Sequence, residues 1–131
     1  MRVTILKIKK PRREHDPNME LNEELQWFCR SFGLFGERDK EKSCYRVFLK
    51  FMGDDHGLTS DEIAEETNIT RGTVIHHINK LMDSGMVISQ KNRYKLRTRN
   101  LSKLLREIEE DIDETFKEME RIAKKIDKKM R

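Results

Sequence analysis

Residues 58–97, LTSDEIAEETNITRGTVIHHINKLMDSGMVISQKNRYKLR, carry more start and stop signals than any other stretch. Thr59 or Ser60 can cap a helix, because a hydroxyl accepts a free amide of the first turn. Glu62 stands three residues after Thr59, the spacing of a capping box, and Asp61 with Glu62 suits the positive end of the helix dipole. Ile63, Ala64 and Thr67 share one face, and Asn68 is a residue that tolerates the left-handed turn ending a helix. Ile69 can plug the gap to a second helix, which Thr70 caps. Val74, Ile78 and Leu81 form that helix's core stripe, with Met82 or Met86 as a last contact. The small Ala64 lets the two helices cross closely. Gly85 ends the second helix. Val87–Gln90 then reads as a strand, Lys91-Asn92 as a turn, and Arg93–Arg97 as the return strand, where Tyr94 and Leu96 alternate with Lys95 and Arg97.

The other side of the second helix carries Arg71, Gly72, Ile75, His76, Asn79, Lys80 and Asp83. A solvent-facing surface has no use for Gly72 or Ile75. A surface pressed against base edges uses both, the glycine for close approach and the isoleucine against a thymine methyl. Arg71, His76 and Asn79 are donors of the kind that reads bases, and Thr70 and Lys80 can hold phosphates. Thr73 sits in the same first turn. The hairpin tip, Lys91, Asn92 and Arg93, adds basic groups.

With its basic hairpin and the RYKL that follows, TSDEIAEETNITRGTVIHHINKLMDSGMV resembles winged helix-turn-helix transcriptional regulators of the ArsR and MarR kind, especially archaeal ones. The resemblance covers about residues 43–98. It implies a recognition helix over Thr70–Lys80, a wing tip at Lys91–Arg93 and double-stranded DNA as ligand. Metal-sensing ArsR members carry a Cys-x-Cys motif in the first helix of the pair. Here that helix is SDEIAEET, so the resemblance does not extend to metal sensing through that site.

Charge is distributed unevenly. Residues 70–99 hold seven basic side chains against Asp83 alone, and residues 54–69 hold six acidic ones and no Lys or Arg, whereas the whole chain is only +4. Such polarisation is the electrostatic footprint of a nucleic-acid-binding face. The chain's 131 residues suit one domain with an extension, and its 40% charged residues, mostly Lys, Glu and Arg, give a balance common in thermophiles. No apolar run is of membrane-spanning length and no signal peptide is visible, so the cytoplasm is the expected location. Cys29 and Cys44 are read as buried apolar residues, not a disulfide framework.

Three domains are expected: a basic N-terminal segment over 1–15, the DNA-binding unit over 16–98 and a C-terminal helix over 99–131. Residues 1–13 hold six basic side chains and no acid, and fit a strand on a partner's sheet edge, a basic arm or a tail. Asp16-Pro17 reads as a helix start. Leu21, Leu25, Phe28, Phe32 and Phe35, broadened by Trp27 and Leu34, make a wide apolar face for the chain's own domain or a dimer contact. Gly33 and Gly36 end or bend that helix, and ERDKEK (37–42) connects it to a buried helix carrying Tyr45, Val47, Phe48 and Phe51. Leu58 reads as a short strand pairing with the wing.

Asn100 can cap a long last helix. In it Leu101, Leu105, Ile108, Ile112, Met119, Ile122 and Ile126 follow a four-three heptad register, with Phe116 beside the polar seam position Thr115. This is the pattern of a coiled coil or long helical hairpin, and about four heptads exceeds what one small domain covers, so it is read as a dimer seam, the alternative being a helix that packs only on its own domain. No phosphate loop, paired catalytic carboxylates or nucleophile–base motif is visible, nor any cofactor motif. Adjacent His76 and His77 point about 100° apart, which is not the spacing of a zinc pair. His77 is expected at the core edge and His76 toward DNA. The fold class expected is mainly α with a small antiparallel β-wing, and the function a homodimeric, sequence-specific DNA-binding transcriptional regulator rather than an enzyme. The alternative is a winged-helix protein-interaction module within a larger transcription assembly. Nothing in the pattern specifies a small-molecule effector.

Overall fold

The computed structural model describes residues 17–34 and 42–131. The expectations for residues 1–16, Phe35, Gly36 and most of ERDKEK lie outside them. The elements in order are α1 (Leu21–Ser31), α2 (Ser43–Phe51), α3 (Ser60–Thr67), α4 (Arg71–Asp83), β1 (Val87–Gln90), β2 (Arg93–Leu96) and α5 (Leu101–Lys129).

Helix α1 starts at Leu21, not at Pro17. Glu20 is its N-cap, without a side-chain cap bond, and Pro17-Asn18 forms a turn. Proline and asparagine initiate turns as readily as proline opens a helix, and the apolar stripe that holds α1 down engages only from Leu25. Leu21 itself is 72% exposed. Beyond it, Leu25 and Phe28 pack on the core, and Cys29, Phe32 and Leu34 are buried in it. Most of α1's apolar face is thus used within the chain's own domain.

Val47, Phe48 and Phe51 of α2 meet Ile63 of α3, Val74, Ile78 and Leu81 of α4, and Met86, Val87 and Leu96 of the wing in one core. Phe48 is fully buried, and truncating such a side chain typically costs about 3–5 kcal/mol. Between Met82 and Met86, it is Met86 that is fully buried. The core continues past residue 98: Leu104 and Ile108 are buried in it, and Leu101 and Ile112 pack against it. Leu105, one position from Leu104, is turned away and 40% exposed. The first three turns of α5 therefore belong to the winged unit, and Leu104 is an anchor that the heptad reading overlooked.

The strands pair antiparallel, Val87 with Leu96 through Gln90 with Arg93. That register leaves a two-residue turn, and both its residues are left-handed, Lys91 at φ 51° and Asn92 at φ 64°. Two positive φ values define the type I′ turn, whose twist matches that of paired strands. The return strand ends at Leu96, one residue earlier than expected, although the Arg97 amide still donates to the Met86 carbonyl at 2.8 Å in the same register. Leu58 pairs with the hairpin edge as a single isolated bridge, exchanging both backbone hydrogen bonds with Tyr94 at 2.8 Å each.

Candidate nucleic-acid interface

Local signals place α3 and α4. The Glu62 amide donates to Thr59 Oγ1 at 3.1 Å and the Thr59 amide donates to Glu62 Oε2 at 3.2 Å, a complete capping box. Asn68 ends α3 at φ 56°. Thr70 caps α4, accepting the Thr73 amide at 3.3 Å. Ile63, Val74, Ile78 and Leu81 then point inward, which fixes the rotation of α4.

The outward side of α4 presents Arg71, Gly72, Thr73, His76 and Asn79, all exposed, with Ile75 half-buried beside them. A methyl group added at Gly72 would meet no atom of the chain within 4 Å. Packing within the fold therefore does not require glycine there. The wing tip residues Lys91, Asn92 and Arg93 are exposed as well.

Lys80 is placed differently from its neighbours. It is half-buried, and its Nζ donates to the Leu34 carbonyl at 3.0 Å, tying α4 to the end of α1. Other cations of the basic segment are also engaged. Arg71 Nε lies 2.9 Å from Asp61. Arg93 lies 3.6 Å from Glu62 and donates to the Gly57 carbonyl at 3.0 Å. Arg99 lies 2.7 Å from Asp55. Arg97 bridges Glu107 at 3.3 Å and Asp111 at 2.6 Å on α5, and these carboxylates raise its pKa further above the ordinary guanidinium value. Five of the seven cations counted between residues 70 and 99 thus have a partner in the fold. The acidic N-terminal turn of α3 is where two of them, Arg71 and Arg93, find theirs. The Arg71–Asp61 pair is well exposed on both sides, and exposed pairs contribute roughly 0–1 kcal/mol, so a phosphate can displace the carboxylate.

His56 joins the wing without any signal in the sequence. The Leu58–Tyr94 bridge folds the preceding turn onto the hairpin, so that His56 and Gly57 line a shallow cleft with Gln90, Lys91, Arg93 and Lys95. Gly57 is required there: its φ is +85°, and an added Cβ would stand 3.0 Å from the Arg93 Cβ. His77 does the opposite of His76. It is buried at the core edge, with Nε2 hydrogen-bonded to Ser43 Oγ at 2.7 Å.

Cys29 and Cys44 form no disulfide, and both are fully buried. Burial pushes the Cys29 thiol well above its usual range, with Cys44 adding to the shift. Among the described residues no three His, Cys, Asp or Glu side chains are grouped to hold a metal ion, and no helix is long and apolar enough to cross a membrane.

Residues 49–88 match a family model described as winged helix-turn-helix DNA-binding. The fold is a winged helix-turn-helix. The matched span runs from the end of α2 through α4 into β1, so it contains the whole exposed face of α4. No curated protein and no solved structure matches the chain.

Proposed function

We propose that the protein is a sequence-specific, double-stranded-DNA-binding transcriptional regulator that acts as a homodimer in the cytoplasm, of the ArsR/MarR-like kind. Helix α4 enters the major groove with Arg71, Gly72, Thr73, Ile75, His76 and Asn79 toward the bases. Thr70 and the α4 N-terminus hold a phosphate. The wing tip, Lys91, Asn92 and Arg93, follows the flanking backbone. Lys80 takes a positioning role, keeping α4 against α1, with its charge still near the backbone. The observation that carries this reading is the exposed outward face of α4, open over Gly72, inside the span that matches the winged helix-turn-helix DNA-binding model. The α5 face formed by Leu105, Ile112, Phe116, Met119, Ile122 and Ile126 pairs the two copies, while Leu101 and Ile108 serve the domain core. The DNA-binding unit then extends through about residue 112, and the dimerisation segment follows it.

Selection of bound duplexes from a random pool tests the reading. A recovered motif with two-fold symmetry is the expected result, and recovery of unenriched sequence would contradict it. The internal pairing of Arg71, Arg93, Arg97 and Arg99 favours a second reading, a protein-interaction module of a transcription assembly, in which the ion pairs are permanent. Absence of any salt-sensitive duplex binding would select that reading instead.

A further inference from the structure

Helix α5 leaves its own domain after Ile112, and every residue from 113 to 131 is exposed. Its far half nonetheless carries Phe116, Met119, Ile122, Ile126 and Met130 on one side, from 41% to 80% exposed. Substitutions there touch nothing else in the fold. The charges of this helix are segregated along its length. Residues 107–120 hold eight acidic side chains and one basic, and residues 121–131 hold six basic and one acidic. Some of these charges are satisfied within the chain: Glu107 and Asp111 by Arg97, Asp113 by Lys117, Glu118 by Arg121 and Glu120 by Lys124. Glu109, Glu110 and Glu114 on one half, and Lys125, Lys128 and Lys129 on the other, make no ion pair among the described residues.

We infer that the α5 helices of two copies pair antiparallel, about a two-fold axis between Met119 and Ile122. This rests on the homodimer reading above and adds its orientation and register. A parallel pair would lay acid on acid and base on base along both halves. An antiparallel pair lays each acidic half along the other copy's basic half. The apolar stripe is compatible with that axis to within one residue of register. Centred there, Met119 meets Ile122 of the second copy, Phe116 meets Ile126, and Ile112 meets Met130. Glu118 also comes beside Lys125 of the second copy, twice by symmetry. The two winged units then stand at opposite ends of the helical pair, their α5 attachments near residue 106 separated by roughly 45 Å at 1.5 Å of rise per residue.

The test is a spin-label distance in the full-length protein carrying Arg131→Cys. The native thiols are fully buried, and wild type treated identically reports their labelling. The antiparallel pair places the two labels about 30 Å apart along the axis. A parallel pair places them side by side, within the ~10 Å spacing of packed helices plus the label arms, and would overturn the orientation while leaving the homodimer standing. No dipolar coupling, with a monomeric mass at micromolar concentration, would overturn both. Glu114→Lys combined with Glu118→Lys supplies a second arm: self-association should weaken at least tenfold, and tighter association would overturn the antiparallel pairing. Duplex binding enters neither arm, so their outcome is separate from that of the DNA reading.

Discussion

Arg97, just past the wing, and Asp111, on α5, meet at 2.6 Å, and the Arg97 side chain is only 14% exposed. That contact, with Glu107 beside it, ties the segment after the wing to the first turns of the long helix. Arg97→Ala should lower stability by about 1–3 kcal/mol, since it strands two carboxylates at a partly buried site. A urea midpoint unchanged from wild type would show that α5 is held by Leu104 and Ile108 alone.

Two truncations separate the two parts of α5. Ending the chain after Ile112 keeps Leu104 and Ile108 in the core, so it should leave a folded monomer with wild-type tertiary near-UV dichroism. Ending it after Asn100 removes both, and each buried leucine or isoleucine is worth roughly 2–5 kcal/mol, so that fragment should be unfolded. Sedimentation of the longer fragment as a dimer would place the dimer contact elsewhere, with α1 the next face to probe.

Gly72→Ala should move stability and binding in opposite directions. The site is helical and open but lies in the first turn, so alanine should raise unfolding free energy by less than the ~1 kcal/mol of a helix interior. The same methyl should weaken duplex binding by blocking close approach of α4. Gain in both properties would remove Gly72 from the interface.

Asp61 holds Arg71 in an exposed ion pair, and on the proposed reading DNA competes with it. Asp61→Asn should therefore tighten binding to every duplex several-fold, while Arg71→Ala should weaken the preferred site more than random DNA. Equal effects of Arg71→Ala on both DNAs would make it a backbone contact. An affinity unaffected by Asp61→Asn would mean that the pair persists on DNA.

The helix-turn-helix was legible in the sequence because its signals are local. The Thr59–Glu62 box, Asn68, the Thr70 cap and the spacing of Val74, Ile78 and Leu81 each act within a turn or two, and each is found where its chemistry places it. What was not legible depends on distant neighbours. Leu104 and Leu105 are equivalent by composition and lie about 100° apart on the helix, so only the packing of α5 on the domain decides which is buried. A charge count cannot see that Lys80 reaches Leu34 or that Arg97 reaches Asp111. Nor can it see His56, which comes to the wing only through the Leu58–Tyr94 bridge. The start of α1 was misplaced because Asp16-Pro17-Asn18 carries turn and helix-start signals at once.

The most direct test of the account is a titration of duplex DNA at increasing salt with wild type and Lys91→Ala. Lys91 is exposed at the wing tip and makes no ion pair among the described residues, so its charge remains available to a phosphate. Log affinity should fall linearly with log salt. About six phosphate contacts would cost roughly a thousandfold between 50 and 200 mM salt, and Lys91→Ala should reduce the slope by about one. Binding that is absent at micromolar protein, or that does not change with salt, would contradict the assignment of α4 and the wing to DNA.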